Sequence, residues 1–287
     1  MPAWGQNAGM HAFRKLSAVA ALIVVAGACG GGAQPFALVA SSPGSLEVGP
    51  QRVLLGLIDP ESQEFLASPE VAATADFTGP GGESIPDVPL EFMWGVPDVR
   101  GLYRAVVDLP AAGAWSVTIA ADGLAETEPT MLMVEQETAM PQIGDPAPPV
   151  ATRTSADADL STISSDPEPD PDLYRLSLDD ALADDRPTVI VFATPAFCTS
   201  QTCGPVLDNV KVVAAEHPEA DFVHVEIYEN LDADSFEDLV AVPAVQAWSL
   251  PSEPWVFVTD GEGTITARFE GAVDPAELGS AVGALGA

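Results

Sequence analysis

"RPTVIVFATPAFCTSQTCGPV", residues 186–206, joins an unbroken apolar run to two of the chain's three cysteines. A strand with one face in water alternates polar and apolar residues; Thr188–Ala193 does not, and reads as a strand buried on both faces. Beyond it, four residues separate Cys198 from Cys203. On a regular helix, side chains five positions apart are turned by about 140° and cannot bond, so a disulfide here needs a loop. Thr199, Ser200, Gln201 and Thr202 are compatible with one. Gly204 suits the cap and Pro205 the first position of a helix predicted to run to His217. Both thiols would then lie at or before a helix N-terminus, where exposed N–H groups and the helix dipole favour thiolate.

Downstream, the pattern predicts a strand over 220–228, helical structure near 236–248, a strand at "WVFVTD", a turn at "DGEG", a strand at "TITARFEG" and a helix from "DPAEL". Upstream, "LSLDDALADD" (176–185) has helical spacing. Residues 36–138 differ: short runs rich in Val, Ile, Leu, Phe and Trp are separated by Gly and Pro turns. Tyr103, Ala105 and Val107 alternate with Arg104, Val106 and Asp108, and Trp115, Val117 and Ile119 repeat the pattern. That is the spacing of half-buried antiparallel strands. Residues 139–172, with "DPEPDPD" at 166–172, read as a stiff, acidic, Pro-interrupted linker.

Charge narrows the function classes. Asp and Glu number 43 against 10 Lys and Arg, a formal net charge of −33. Such a surface repels phosphate backbones, which argues against nucleic acid as a partner. No stretch has the alternating carboxylates and glycine of a calcium loop, and no metal or cofactor is expected. At the start of the chain, Arg14 and Lys15 precede "LSAVAALIVVAGA" (16–28), an apolar run too short to span a bilayer but suited to a secretion signal. Small residues before Cys29 and the glycines after it resemble a bacterial lipoprotein signal. That resemblance implies lipidation of Cys29, membrane anchoring and an extracytoplasmic location.

"VIVFATPAFC" and "LPSEPWVFVTDGEGTITARFEG" resemble the central strand and the cis-proline segment with terminal hairpin of the thioredoxin superfamily, and "IGDPAPP" (143–149) is similar to the lead-in of membrane-anchored thiol-disulfide reductases and peroxiredoxins. The resemblance covers roughly residues 143–287. It implies a redox-active Cys198–Cys203 pair, Pro254 as a substrate-aligning cis-proline, no cofactor, and partners that are disulfide- or thiol-bearing envelope proteins. Residues 36–138 are similar in outline to an immunoglobulin-like sandwich.

The expected fold class is therefore an all-β immunoglobulin-like sandwich followed by an α/β thioredoxin-like fold. The expected division is a signal (1–28), a tether (29–35), the sandwich (36–138), the linker with its lead-in (139–172) and the thioredoxin-like domain (173–287).

The pair departs from the family's two-residue gap. Counted from the strand, Cys198 is the nucleophile; counted from "CGP", Cys203 would be, with Val206 in the second cysteine's place. Strand length favours Cys198. Three rival readings stand beside thiol exchange. The same four-residue gap occurs in one class of peroxiredoxins, although Thr194 lies four rather than three residues before Cys198 and Ser252-Glu253-Pro254 offers no arginine. A copper chaperone would need a third ligand, which neither His217 nor His224 is placed to supply. The pair could also be a structural staple in an oxidising compartment, leaving a non-catalytic envelope lipoprotein.

Overall fold

Alternation over 36–138 produces one sheet, and the unbroken apolar run at 188–193 anchors another. The computed structural model describes residues 35–285, which belong to one compact unit. Cys29 and the expected signal segment lie outside the described residues.

The first sheet contains β1 (Phe36–Val39), β2 (Gly49–Ile58), β3 (Ala73–Thr78), β4 (Ser84–Val96), β5 (Arg100–Leu109), β6 (Gly113–Ala121) and β7 (Thr130–Val134) in the order β1-β2-β5-β4-β3-β6-β7. Every pairing is antiparallel. The long β4 pairs with β3 through its first half and with β5 through its second, which lets the sheet fold over its own core. Backbone hydrogen bonds from Val48 to Glu135 and from Glu135 to Leu46 draw the two edges together. Inside sit Val53, Leu55, Phe77, Tyr103, Ala105, Val107, Trp115, Val117 and Ile119. Burying the indole requires a partner for its N–H, and Trp115 Nε1 donates to the Ala111 carbonyl at 2.8 Å. Gly101 is required by contact: a Cβ there would stand 2.2 Å from the Ala67 carbonyl oxygen.

The second sheet contains β8 (Thr188–Ala193), β9 (Asp221–Glu226), β10 (Trp255–Thr259) and β11 (Ile265–Glu270) in the order β11-β10-β8-β9. Only β8 and β9 run parallel; β10 is antiparallel to both its neighbours. All six residues of β8 are buried, as its apolar run requires. Val189, Val191 and Ala193 face one layer, which includes α3 (Cys203–Glu216) and α5 (Pro275–Gly283). Ile190 and Phe192 face the other, with α2 (Leu178–Ala181), α4 (Pro243–Ala247) and Trp248. The remaining helix, α1 (Leu160–Ile163), is a single turn.

These observations correct the expected fold class. The described residues are mostly β, with 35% strand and 17% helix. Residues 36–138 form one continuous, nearly closed antiparallel sheet rather than a two-sheet immunoglobulin-like sandwich. The second sheet, with one parallel pair and few helices, does not fit an α/β thioredoxin fold. Helical spacing overstated helix length: "LSLDDALADD" yields four helical residues before Asp185 takes a φ of 61°, and the stretch near 236–248 yields one turn of 3-10 helix and five residues opened by Pro243. Proline fits the first turn of a helix but breaks one that would run through it.

The outer face of β2, β4 and β5 meets the second sheet. Leu54, Met93 and Leu102 pack with Ala272. Around them, Glu277 of α5 takes Arg52 at 2.7 Å and Arg104 at 2.5 Å, and Arg104 also pairs with Glu91. Burial alone would raise the Glu277 carboxyl; the two arginines outweigh it and hold the carboxyl below the usual carboxylate range. Nearby, Arg268 Nη2 donates to the Ser45 carbonyl and the Gln51 side chain, and its guanidinium lies over Trp255.

Candidate functional site

β8 ends at Ala193 and the chain turns through Thr194–Phe197 into the cysteine loop, where Cys198 and Cys203 form a disulfide with Cα atoms 6.0 Å apart. The pair bridges through a loop, as their spacing demanded. α3 begins at Cys203 itself, two residues earlier than the Gly-Pro signal indicated, so Gly204 lies inside the helix instead of capping it.

The two sulfurs have different surroundings. Cys203 is fully buried with Val206, Leu207 and Val210. Cys198 is half-buried in the loop and its sulfur accepts the backbone N–H of Cys203 at 3.3 Å. Ser200 Oγ lies 3.1 Å from the same sulfur and 2.8 Å from Thr202 Oγ1. Gln201 takes a φ of 63° so that the loop can close, with its N–H donating to the Cys198 carbonyl.

Pro254 is buried and joined to Glu253 by a cis peptide bond. Trp255 pairs with Phe192, which sets Pro254 at the level of Ala193, at the end of the sheet from which the cysteine loop leaves. Its carbonyl accepts from Gly271 at 3.0 Å. Burial raises the neighbouring Glu253 carboxyl above its ordinary range.

Below the loop lies a buried polar group. His224 of β9 donates from Nε2 to the Ala193 carbonyl at 3.0 Å, which leaves Nδ1 to accept from the Tyr174 hydroxyl at 2.6 Å. Burial lowers the His224 pKa and keeps the imidazole neutral, in keeping with that tautomer. Glu226 accepts from the Ser165 N–H at 2.7 Å, and Ser165 Oγ accepts in turn from the Ala196 N–H at 3.2 Å. His217 instead contacts Glu219 at the far end of α3. Among the described residues, no three His, Cys, Asp or Glu side chains gather as a metal site would require.

Two features escaped the sequence reading. Phe197 stacks edge-on with Tyr228, and Tyr228 with Phe236, in an aromatic row beginning beside Cys198. Arg100 of β5 donates to the Ser200 carbonyl at 2.6 Å and so brings the first sheet to the cysteine loop. The aromatic residues were visible in the sequence, but their adjacency was not. Nothing in "DVRGLY" marks Arg100 at all. A cleft of about 80 Å³ between Arg153, His224, Glu226, Tyr228 and Val242 includes neither cysteine.

No family model matches the chain, and no curated protein matches it. Among solved structures it is similar to a DUF4426 family protein from Pseudomonas aeruginosa PAO1, at 13% identity and a TM-score of 0.20, over 31% of this chain and 76% of that one. A likeness that distant carries neither fold nor function across.

Proposed function

We propose that the chain exchanges disulfides with protein partners through Cys198 and Cys203. The observation that carries this reading is the asymmetry of the pair at the head of α3. Cys203 is fully enclosed, while Cys198 is half-buried in the loop with a backbone N–H directed at its sulfur. Hydrogen-bond donation and the positive end of a long helix stabilise thiolate, and thiolate is the attacking species in exchange.

In the reduced protein, the Cys198 thiolate attacks one sulfur of a partner disulfide. That S–S bond breaks, its second sulfur leaves as thiolate and takes a proton, and a mixed disulfide forms. Cys203 then loses its proton and attacks the Cys198 sulfur. The Cys198–Cys203 bond forms, the partner's remaining sulfur leaves, and two electrons have passed to the partner, now a dithiol. The reverse sequence oxidises a partner dithiol. Pro254 shapes the wall at this end of the sheet and supplies no N–H of its own. Anchoring by lipid on Cys29, with the partners being envelope proteins, is part of the same proposal.

Cys203→Ser in the full chain should accumulate mixed disulfides with partner proteins, and Cys198→Ser should accumulate few. Trapping by neither variant, with a native disulfide that resists strong reductants, would make the pair a staple. Rapid sulfenic acid formation at Cys198 with dilute peroxide would replace exchange with peroxidase chemistry. For the anchor, Cys29→Ser should release the protein from membranes; retention with normal processing would overturn it.

A further inference from the structure

We propose that Arg100 of the first sheet is a positioning residue for the cysteine loop of the second, and that it favours the Cys198 thiolate once the disulfide opens. The inference rests on the thiol-exchange reading of that pair.

Arg100 is the first residue of β5, after a turn in which Asp98 takes a φ of 57°. On a strand, neighbouring side chains point to opposite faces. Gly101 is pressed against Ala67, and Arg100 points outward towards the second sheet. Its guanidinium lies 5.1 Å from the Phe65 ring centroid, a contact that fixes the plane of the charge while Nη1 donates to the Ser200 carbonyl. Phe65 is itself held against the Leu54, Met93 and Leu102 cluster that joins the sheets. The arginine is therefore aimed by the body of the first sheet.

The loop needs such support. Its other hydrogen bonds are local: Gln201 to the Cys198 carbonyl, Cys203 N–H to the Cys198 sulfur, and the Ser200 hydroxyl between that sulfur and Thr202. While the disulfide is closed, the covalent bond fixes Cys198 over the head of α3. When it opens, the Arg100–Ser200 hydrogen bond still ties the loop to the first sheet.

Charge acts in the same direction. Three carboxylates belong to this end of the second sheet: Glu226, linked through Ser165 to Ala196, Glu253, beside Pro254, and Glu270, which pairs with Trp255 and accepts from Ser252. Where ionised, such groups disfavour a further negative charge nearby. A guanidinium stays protonated at any working pH, and Arg100 places that charge on the backbone of the residue whose hydroxyl touches the Cys198 sulfur.

The test is the alkylation rate of Cys198 against pH in the reduced full chain, read at that residue by mass spectrometry. Arg100→Gln should shift the curve upward and slow the reaction near neutral pH by about three- to tenfold, the change expected from a half to one unit in thiol pKa. Arg100→Lys should recover part of the loss, because it keeps the charge without the planar fork. Phe65→Leu should move the curve the same way by less. An unmoved curve in folded Arg100→Gln overturns the proposal, and so does a slower rate with no shift along the pH axis. If Arg100→Gln does not fold, unmoved curves in both Arg100→Lys and Phe65→Leu overturn it. Alkylation needs no protein partner, so failure of mixed-disulfide trapping would sink the exchange reading and still leave this measurement legible.

Discussion

The two sheets meet their cores in opposite ways. In the first, β5 and β6 alternate, with one face lining the core and residues such as Val106 facing water. In the second, β8 and β10 are buried along their whole length between a layer holding α3 and α5 and a layer of short helices and loop. A sheet covered on one side can close upon itself and needs no helices. A sheet covered on both sides needs outer layers, and where those layers part, at the end of β8, the chain has room for the disulfide-bonded loop. The difference explains why both disulfide cysteines belong to the second sheet and why the first contributes its arginines from outside.

The largest effect should come from breaking the double cover. Phe192 is fully buried against Trp248 and Phe257, and Phe192→Ala should cost about 4 kcal/mol in denaturant unfolding. A loss below about 1 kcal/mol would mean that the helical layer is not packed on this face.

Next comes the junction between the sheets. Glu277 has a depressed folded-state pKa, so its stabilisation is present above the ordinary carboxylate pKa and disappears as pH falls through the folded value. Glu277→Gln should lose about 2–3 kcal/mol at pH 7 and flatten the acid limb of the stability curve. Glu270 is the counterexample. Burial raises its carboxyl despite the N–H of Ser42 and nearby hydroxyls, so its charge burdens the fold at neutral pH and protonation relieves that burden. Glu270→Gln should change stability by less than about 1 kcal/mol at pH 7. If the two variants behave alike, the arginines are not what distinguishes these acids.

The smallest effects give the sharpest test, because the same substitution is made in both sheets. Val191→Thr places a hydroxyl in a layer without partners and should cost about 1–3 kcal/mol. Val106→Thr, on a face 70% exposed, should stay within about 0.5 kcal/mol. Equal losses would abolish the distinction between singly and doubly covered strands.

Strand periodicity made much of this legible. Tyr103, Ala105 and Val107 line the first core as their alternation required, and 188–193 is a doubly covered strand. The loop between Cys198 and Cys203 followed from the angle between side chains on a helix. What failed was closure and class. Nothing local in "FALV" or "TMLMV" says that β1 and β7 will end near each other, and a short helix shows the same spacing as a long one until a proline or a positive φ ends it. Arg104 looked like the solvated member of an alternating pair, but is an ion-pair partner to Glu277. Arg100 at the cysteine loop was invisible for the same reason: one hydrogen bond across 100 residues leaves no periodic trace.

That separation has a consequence for assembly. Arg52 and its partner Glu277 are 225 residues apart, with α5 following every other element of both sheets. As the chain is made, the guanidinium groups of β2 and β5 are in place long before this carboxylate, and until it arrives Arg104 can pair with Glu91 of β4 while Arg52 waits for Glu277. The first sheet must therefore attain its shape without help from this lock, whereas the second lacks part of its own covering layer until α5 packs with Leu278 and Val282 inside. Contacts so distant in sequence close late because the intervening chain must first be ordered. The final helix thus acts as a latch: the element that completes one layer of the second sheet also carries the carboxylate that ties it to the arginines of the first.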